Sequence, residues 1–235
     1  MGDMTNTYTA RKQRLTDYFD RTAATAWERL TSDAPVGRVR ATVRAGRDRM
    51  RNILLGWLPE DMTGMTLLDA GCGTGSLAVI AAERGARVTG VDISATLLEV
   101  AHERTPEALR ERISYHAGDM LAAQGGPFDY VVAMDSLIHY ELNDMIDAIA
   151  ALTANARKGV LTTFAPRTPL LSLMHFTGRL LPTNEHRAPF IEPASEKKLQ
   201  AGIQSLPAFQ GWKAGRTERV SAGFYTSQAL ELRHE

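Results

Sequence analysis

Apolar positions along the chain follow two periods. Val36, Val39, Val43, Met50, Ile53 and Leu54 recur at helical spacing and predict an amphipathic helix that stops near Gly56-Trp57-Leu58-Pro59. From residue 66 onward short apolar runs alternate with helical stretches. Strands are predicted at 66–70, 87–92, 113–117, 128–134 and 158–164, with helices at 75–84, 94–103 and 143–157. Repeated strand–helix units predict an α/β domain with a mostly parallel sheet. After a last helix at 195–205, two alternating stretches at 212–220 and 224–232 flank Ser221-Ala222-Gly223 and predict an antiparallel hairpin. Two segments break this rhythm. Thr16-Asp17-Tyr18-Phe19-Asp20 opens a stretch that runs to Trp27-Glu28-Arg29-Leu30 and reads as a short helical cap, its aromatics either anchoring it or closing over a ligand. Residues 165–193 read as an insertion after the fifth strand: an apolar run from Pro169 to Phe176, then Arg179, His186, Arg187 and three prolines. That insertion is either a roof over a flat, acidic, greasy ligand or a helix packed on the core with a loose loop. The chain thus divides into a helical cap over 1–60 and a ligand-binding domain over 61–235.

The chemistry concentrates where the first strand ends, at Leu67-Leu68-Asp69-Ala70-Gly71-Cys72-Gly73-Thr74-Gly75-Ser76. A buried strand, a tight turn through three glycines and a helix N-terminus make a ligand site at the carboxyl end of a strand. A glycine turn alone is shared by several cofactor folds. Two details choose among them. Ser76 stands where a dinucleotide fingerprint wants a third glycine or alanine, and Asp69 would repel a pyrophosphate but attract an ammonium group. About 20 residues past the turn, Asp92 ends the second strand, where an acid accepts ribose hydroxyls. Each of these acids also has a plain alternative as a cap of the helix that follows.

Asp69-Ala70-Gly71-Cys72-Gly73-Thr74-Gly75 resembles the first motif of class I S-adenosylmethionine (SAM) methyltransferases, a Rossmann-like fold. The terminal hairpin resembles the same fold and is unlike dinucleotide domains. This resemblance implies that Asp69, Gly71, Cys72, Gly73 and Gly75 hold the methionine end of SAM. It puts Asp92 and Ile93 at the ribose, Asp119 and Met120 at the adenine, and Asp135 on the cofactor side. The match extends through Tyr18-Phe19-Asp20, Trp27-Glu28-Arg29 and Asp135-Ser136-Leu137-Ile138-His139-Tyr140, which together resemble the magnesium protoporphyrin IX O-methyltransferase family of chlorophyll and bacteriochlorophyll synthesis. The narrower resemblance implies methyl transfer from SAM to a propionate of Mg-protoporphyrin IX. It implies catalytic positions at His139 and Tyr18, and substrate contacts at Tyr140, His175, Arg179 and Arg187, the two arginines toward the second propionate. The magnesium belongs to the substrate. No protein cluster has metal-ligand spacing, and axial coordination of the magnesium by His139 or His175 stays open.

Composition narrows the partners. Lys plus Arg and Asp plus Glu are 27 each, so general nucleic-acid binding is disfavoured. A single cysteine, Cys72, excludes an internal disulfide, fits a reducing compartment and reads as a packing residue rather than a nucleophile. No apolar run approaches the ~20 residues that cross a bilayer, and Met1 to Thr9 lacks the centre of a signal peptide, so a cytoplasmic protein is expected. Arg40, Arg44, Arg47 and Arg51 share one face of the first helix. That stripe reads as a solvated face, or as a contact for an acidic partner or an anionic membrane surface. A porphyrin pathway implies handover from a magnesium chelatase, which no residue marks. A SAM methyltransferase of a quinone or phenol, and a SAM-fold protein without catalysis, remain as alternatives.

Overall fold

The computed structural model describes residues 6–18, 31, 37–167 and 191–235. Helix α1 (Asn6–Tyr18) and helix α2 (Arg38–Trp57) precede the sheet. Strand β1 (Thr66–Ala70), α3 (Ser76–Glu83), β2 (Arg87–Asp92), α4 (Ala95–Arg104) and β3 (Ile113–Ala117) form the first half. The second half holds β4 (Phe128–Ala133), α5 (Leu142–Ala154), β5 (Ala156–Phe164) and α6 (Glu196–Ser205), then the hairpin β6 (Trp212–Ala222) and β7 (Tyr225–His234). The seven strands run in the order β3-β2-β1-β4-β5-β7-β6. The first five pair in parallel, and β7 pairs antiparallel with both β5 and β6.

Both faces of the central strands β1, β4 and β5 are buried over most of their length, which explains why these strands read as apolar runs instead of alternating. Neighbouring side chains point to opposite faces and enter different cores. Leu68, Val131 and Val160 join Tyr8, Leu15, α5 and α6 on one side. Leu67, Val132 and Leu161 join α3 and the Met50, Leu54 and Leu55 stripe of α2 on the other. Strand order reverses between β1 and β4, so the loops after these strands diverge and leave a crevice at their carboxyl ends.

Most predicted elements stand within a residue or two of their expected limits, and the exceptions have physical causes. Among the described residues α1 is already helical at Asn6, ten residues before the expected cap, so Thr16 to Tyr18 continue a helix instead of starting one; 19–30 lie outside the described residues. Only Tyr8 and Leu15 of its residues are buried, and two apolar anchors make no readable stripe. α5 stops at Ala154, three residues early, because the Asn155 carbonyl accepts the Phe128 N–H and Ala156 enters the sheet opposite Phe128. The hairpin turns on Gly223 and Phe224, with Gly223 at φ 57 and Ala222 opposite Tyr225. The stretch 168–190 lies outside the described residues, but its ends are joined: Arg167 N–H donates to Ala194 O, and Ala194 N–H to Ala165 O.

α2 sits on the hairpin through Gly46. A methyl there would stand 2.5 Å from Tyr225 Cδ1 and 2.9 Å from its Cβ, whereas Gly56 in the same helix faces open space. Gly46→Ala should therefore cost about 1–3 kcal/mol through overpacking. Gly56→Ala should add up to about 1 kcal/mol by restricting the unfolded chain. Urea unfolding midpoints of the two variants moving in opposite directions is the expected result.

Candidate functional site

The crevice above β1, β2 and β4 is a cleft partly open to solvent, with about 1120 Å³ of empty space when the open solvent at its mouth is included. Its floor is the glycine turn. Gly71, Gly73 and Gly75 have φ of 83°, 53° and 77°, a backbone path that side chains oppose. The Gly71 and Cys72 N–H groups both donate to Val91 O, at 2.8 and 3.1 Å, which tucks the turn against β2. A Cβ on Gly71 would meet the Ser136 Cβ at 2.5 Å, so the turn and the loop after β4 are in contact. Gly71, Cys72 and Gly73 line the cleft. Gly75, expected beside them, is not among its lining residues; its missing side chain makes room for the Tyr115 hydroxyl instead.

Asp69 ends β1 at 2% exposure and lines the cleft. Burial, reinforced by nearby Asp92, pushes its pKa up to about 7 against the pull of the Ala78 N–H. Its Oδ2 is one of three buried side-chain polar atoms that lack a hydrogen-bond partner among the described residues, with Arg51 Nε and Ser136 Oγ. Asp92 receives the Gly73 N–H on Oδ2 at 2.8 Å and the Ser94 N–H on Oδ1 at 3.0 Å. The loop-fixing alternative for Asp92 is therefore real, and the residue still lines the cleft with Ile93. Burial, with Asp69 and Asp92 close by, raises the Cys72 thiol well above its ordinary range, which suits an inert packing residue.

Helix α1 closes one side. Tyr8 O–H donates to Asp119 Oδ1 at 2.9 Å, Lys12 Nζ bonds Asp119 Oδ2 at 2.7 Å, and the Leu121 N–H adds a third bond. Burial alone would raise the Asp119 pKa, but these donors hold it below the ordinary value. Asp119 thus fastens α1 over the end of the cleft where Met120 is buried. Tyr8 stacks on Tyr140 at 4.8 Å between ring centres, and Arg11 donates to His139 O at 2.6 Å and to Glu192 at 2.8 Å. His139 and Tyr140 both line the cleft. Tyr18, expected at the catalytic centre, is half-buried at the far end of α1 and is not among the lining residues; Tyr8 of the same helix is. His175, Arg179 and Arg187, with Phe19 and Trp27, fall outside the described residues.

The opposite wall comes from α2. Arg44, Arg47 and Arg51 line the cleft with Asp48, while Arg40 is exposed. The expectation of a solvated stripe is corrected for those three. Met50, Leu54 and Leu55 enter the core and Gly46 seats on Tyr225, which turns the adjoining arginine face over the glycine turn. Arg47 pairs with Asp135 at 2.6 Å. Asp135 has φ 54 and also receives hydrogen bonds from Tyr225, Thr163 and Ser227. It lines the cleft as expected, but its carboxylate is engaged by four protein groups and works as an anchor of the loop after β4.

Sequence reasoning missed Tyr8, Lys12, Arg51 and Ser136. Tyr8, Lys12 and Leu15 all line the cleft and fall at i, i+4 and i+7, one face of a helix, but with a lysine between two apolar residues the spacing makes no hydrophobic stripe. Among the described residues no group of three His, Cys, Asp or Glu side chains gathers as a metal site requires.

Comparison with known proteins agrees with this geometry. Residues 133–234 match the family described as magnesium-protoporphyrin IX methyltransferase C-terminus, and residues 67–159 match a general methyltransferase domain. The magnesium-protoporphyrin O-methyltransferase of Rhodobacter capsulatus is 43% identical over 233 residues, 98% of this chain and 100% of the relative. The enzyme of the same name from Synechocystis is 32% identical over 97% of this chain and 98% of its own length. A crystal structure of magnesium protoporphyrin IX methyltransferase from Synechocystis PCC 6803 with bound SAH superposes with a TM-score of 0.82 at 29% identity, covering 95% of this chain and 100% of that one. The sheet order, the glycine turn and this full-length similarity together place the chain in the magnesium-protoporphyrin O-methyltransferase family.

Proposed function

We propose that this protein transfers the methyl group of SAM to a propionate carboxylate of Mg-protoporphyrin IX, giving the monomethyl ester and S-adenosylhomocysteine (SAH). One observation carries the donor half of the reading: a buried carboxylate, Asp69, at the glycine turn with an oxygen that no group among the described residues satisfies. Buried polar groups are normally paired, so this one fits a ligand cation, and the ammonium of SAM supplies it. When bound, SAM contributes an electrophilic methyl group on a sulfonium.

The chain's own residues then have distinct tasks. Asp69 holds the ammonium. Asp92, oriented by the Gly73 and Ser94 N–H groups and lining the cleft, receives the ribose hydroxyls. Ile93 and Met120 give the adenine an apolar flank. Asp119 fastens Tyr8 and Lys12 and thereby α1, which shields the reacting groups from water. A propionic acid ionises near the Glu reference of ~4.3, so the nucleophile is already an anion at neutral pH and no strong base is needed. His139 therefore orients the acceptor beside Tyr140. His175, Arg179 and Arg187 complete the proposal as contacts to the macrocycle and its second propionate. Receipt of substrate from a magnesium chelatase and a peripheral membrane contact at Arg40, the exposed end of the arginine stripe on α2, are its finer parts. Among the described residues no helix is long and apolar enough to cross a membrane.

Incubation with SAM and Mg-protoporphyrin IX should give a product heavier by one methylene, while metal-free and zinc porphyrins serve as controls; a chain that binds SAM and methylates none of them refutes the acceptor assignment. His139→Ala should lower kcat/KM for the porphyrin by about ten- to a hundredfold and leave the Kd of SAH unchanged. Normal turnover in that variant removes His139 from the mechanism. Donor binding should also depend on pH. The free Asp69 has its pKa raised to about 7, and an ammonium partner lowers it, so binding releases a proton below that value. Affinity should fall about tenfold per unit as pH drops below 7, and fall again at alkaline pH as the ligand amine deprotonates. Calorimetric titration with SAH reads both limbs, and Asp69→Asn should flatten only the acid one.

A further inference from the structure

The three buried atoms left without partners share one cleft, and their chemistry differs in a useful way. Asp69 Oδ2 only accepts, Arg51 Nε–H only donates, and Ser136 Oγ does either. Other interactions bring them together. Ser136 abuts Gly71, two residues from Asp69. Its neighbour Asp135 is gripped by Arg47, and Arg51 follows Arg47 by one turn on the same face of α2. Asp48 holds Arg51 Nη2 at 2.9 Å and so fixes the guanidinium while its Nε–H stays unmet.

We propose that Arg51 and Ser136 bind the α-carboxylate of the donor's methionine moiety, opposite the ammonium held by Asp69, so that α2 supplies half of the donor site. This rests on the SAM reading. A ligand with only a negative group at Arg51 would face the buried carboxylate of Asp69 and the partly exposed one of Asp48. A ligand with only a positive group would leave the Arg51 Nε–H unmet. An α-amino acid carries both charges on one carbon and satisfies all three atoms together. The donor site then spans the expected boundary at residue 60. Residues ahead of the sheet are part of the SAM-binding machinery, and an isolated domain starting at 61 lacks the carboxylate contact.

The test compares SAH with its decarboxylated analogue by calorimetry on the full chain. The wild type should bind SAH at least about tenfold more tightly than the analogue, the usual scale of a charge-assisted contact. Arg51→Gln should weaken SAH by about tenfold or more and leave the analogue within about twofold, with partial recovery in Arg51→Lys. Ser136→Ala should show the same selectivity at smaller size. Equal weakening of both ligands by Arg51→Gln, or no weakening of either, overturns the assignment. So does a wild type that binds the two ligands equally, a comparison that needs no variant to fold. A wild type that binds neither overturns the donor reading itself, and this inference with it.

Discussion

The Arg47–Asp135 ion pair is the contact on which the arrangement of the cleft depends. Asp135 lies just past the end of β4 in a left-handed conformation that costs a non-glycine residue about 1 kcal/mol or more. It is retained because four side chains converge on its carboxylate: Arg47 from α2, Thr163 from β5, and Tyr225 and Ser227 from β7. Three parts of the chain separated by some ninety residues each are thereby fixed to one another. The bend that Asp135 makes carries Ser136 onto the glycine turn and starts the loop that presents His139 and Tyr140. Loss of Arg47 would leave a buried charge uncompensated at the centre of this junction, the costly way to break such a pair.

A second layer of order comes from α1. Its residues contribute little apolar burial, and its position is set by polar bonds: Tyr8 and Lys12 to Asp119, Arg11 to His139 O and Glu192, Thr7 to Asp144. Polar attachment is weaker and more reversible than a buried stripe, because each bond competes with water. A helix held in this way suits a wall of a cleft that must admit a ligand.

How much of this could be read from sequence follows from the same contrast. The glycine turn and the strand–helix rhythm are local signals, carried by residues next to each other, and they led to β1, α3, β2 and a mostly parallel sheet. Asp69 and Asp92 were legible because strand ends and turns fix where an acid must lie. Arg47 was visible as part of a stripe, but its meaning depends on Asp135, 88 residues away, and no periodicity encodes such a partner. Gly75 and Tyr18 fall outside the residues lining the cleft for a related reason. The backbone need for glycine at 75 is real, but what fills the space beside it is Tyr115. α1 itself went unrecognised over its first ten residues because polar anchoring leaves no hydrophobic pattern.

The charges in the cleft are consistent with the chemistry proposed for it. A carboxylate attacking a sulfonium loses charge on the way to the transition state. An unopposed cation beside the attacking oxygen would therefore stabilise the ground state more than the transition state and slow the reaction. In this cleft Lys12 is matched by Asp119, Arg47 by Asp135 and Arg51 by Asp48. The carboxylate left with an unmet buried oxygen is Asp69, at the turn assigned to the donor. Opposed cations and an unsatisfied anion on the donor side attract the sulfonium nucleoside while leaving the acceptor oxygen free to react. In the function proposed above, what accelerates the step is alignment of the two bound charges away from water, the tasks proposed for His139 and the fastened α1.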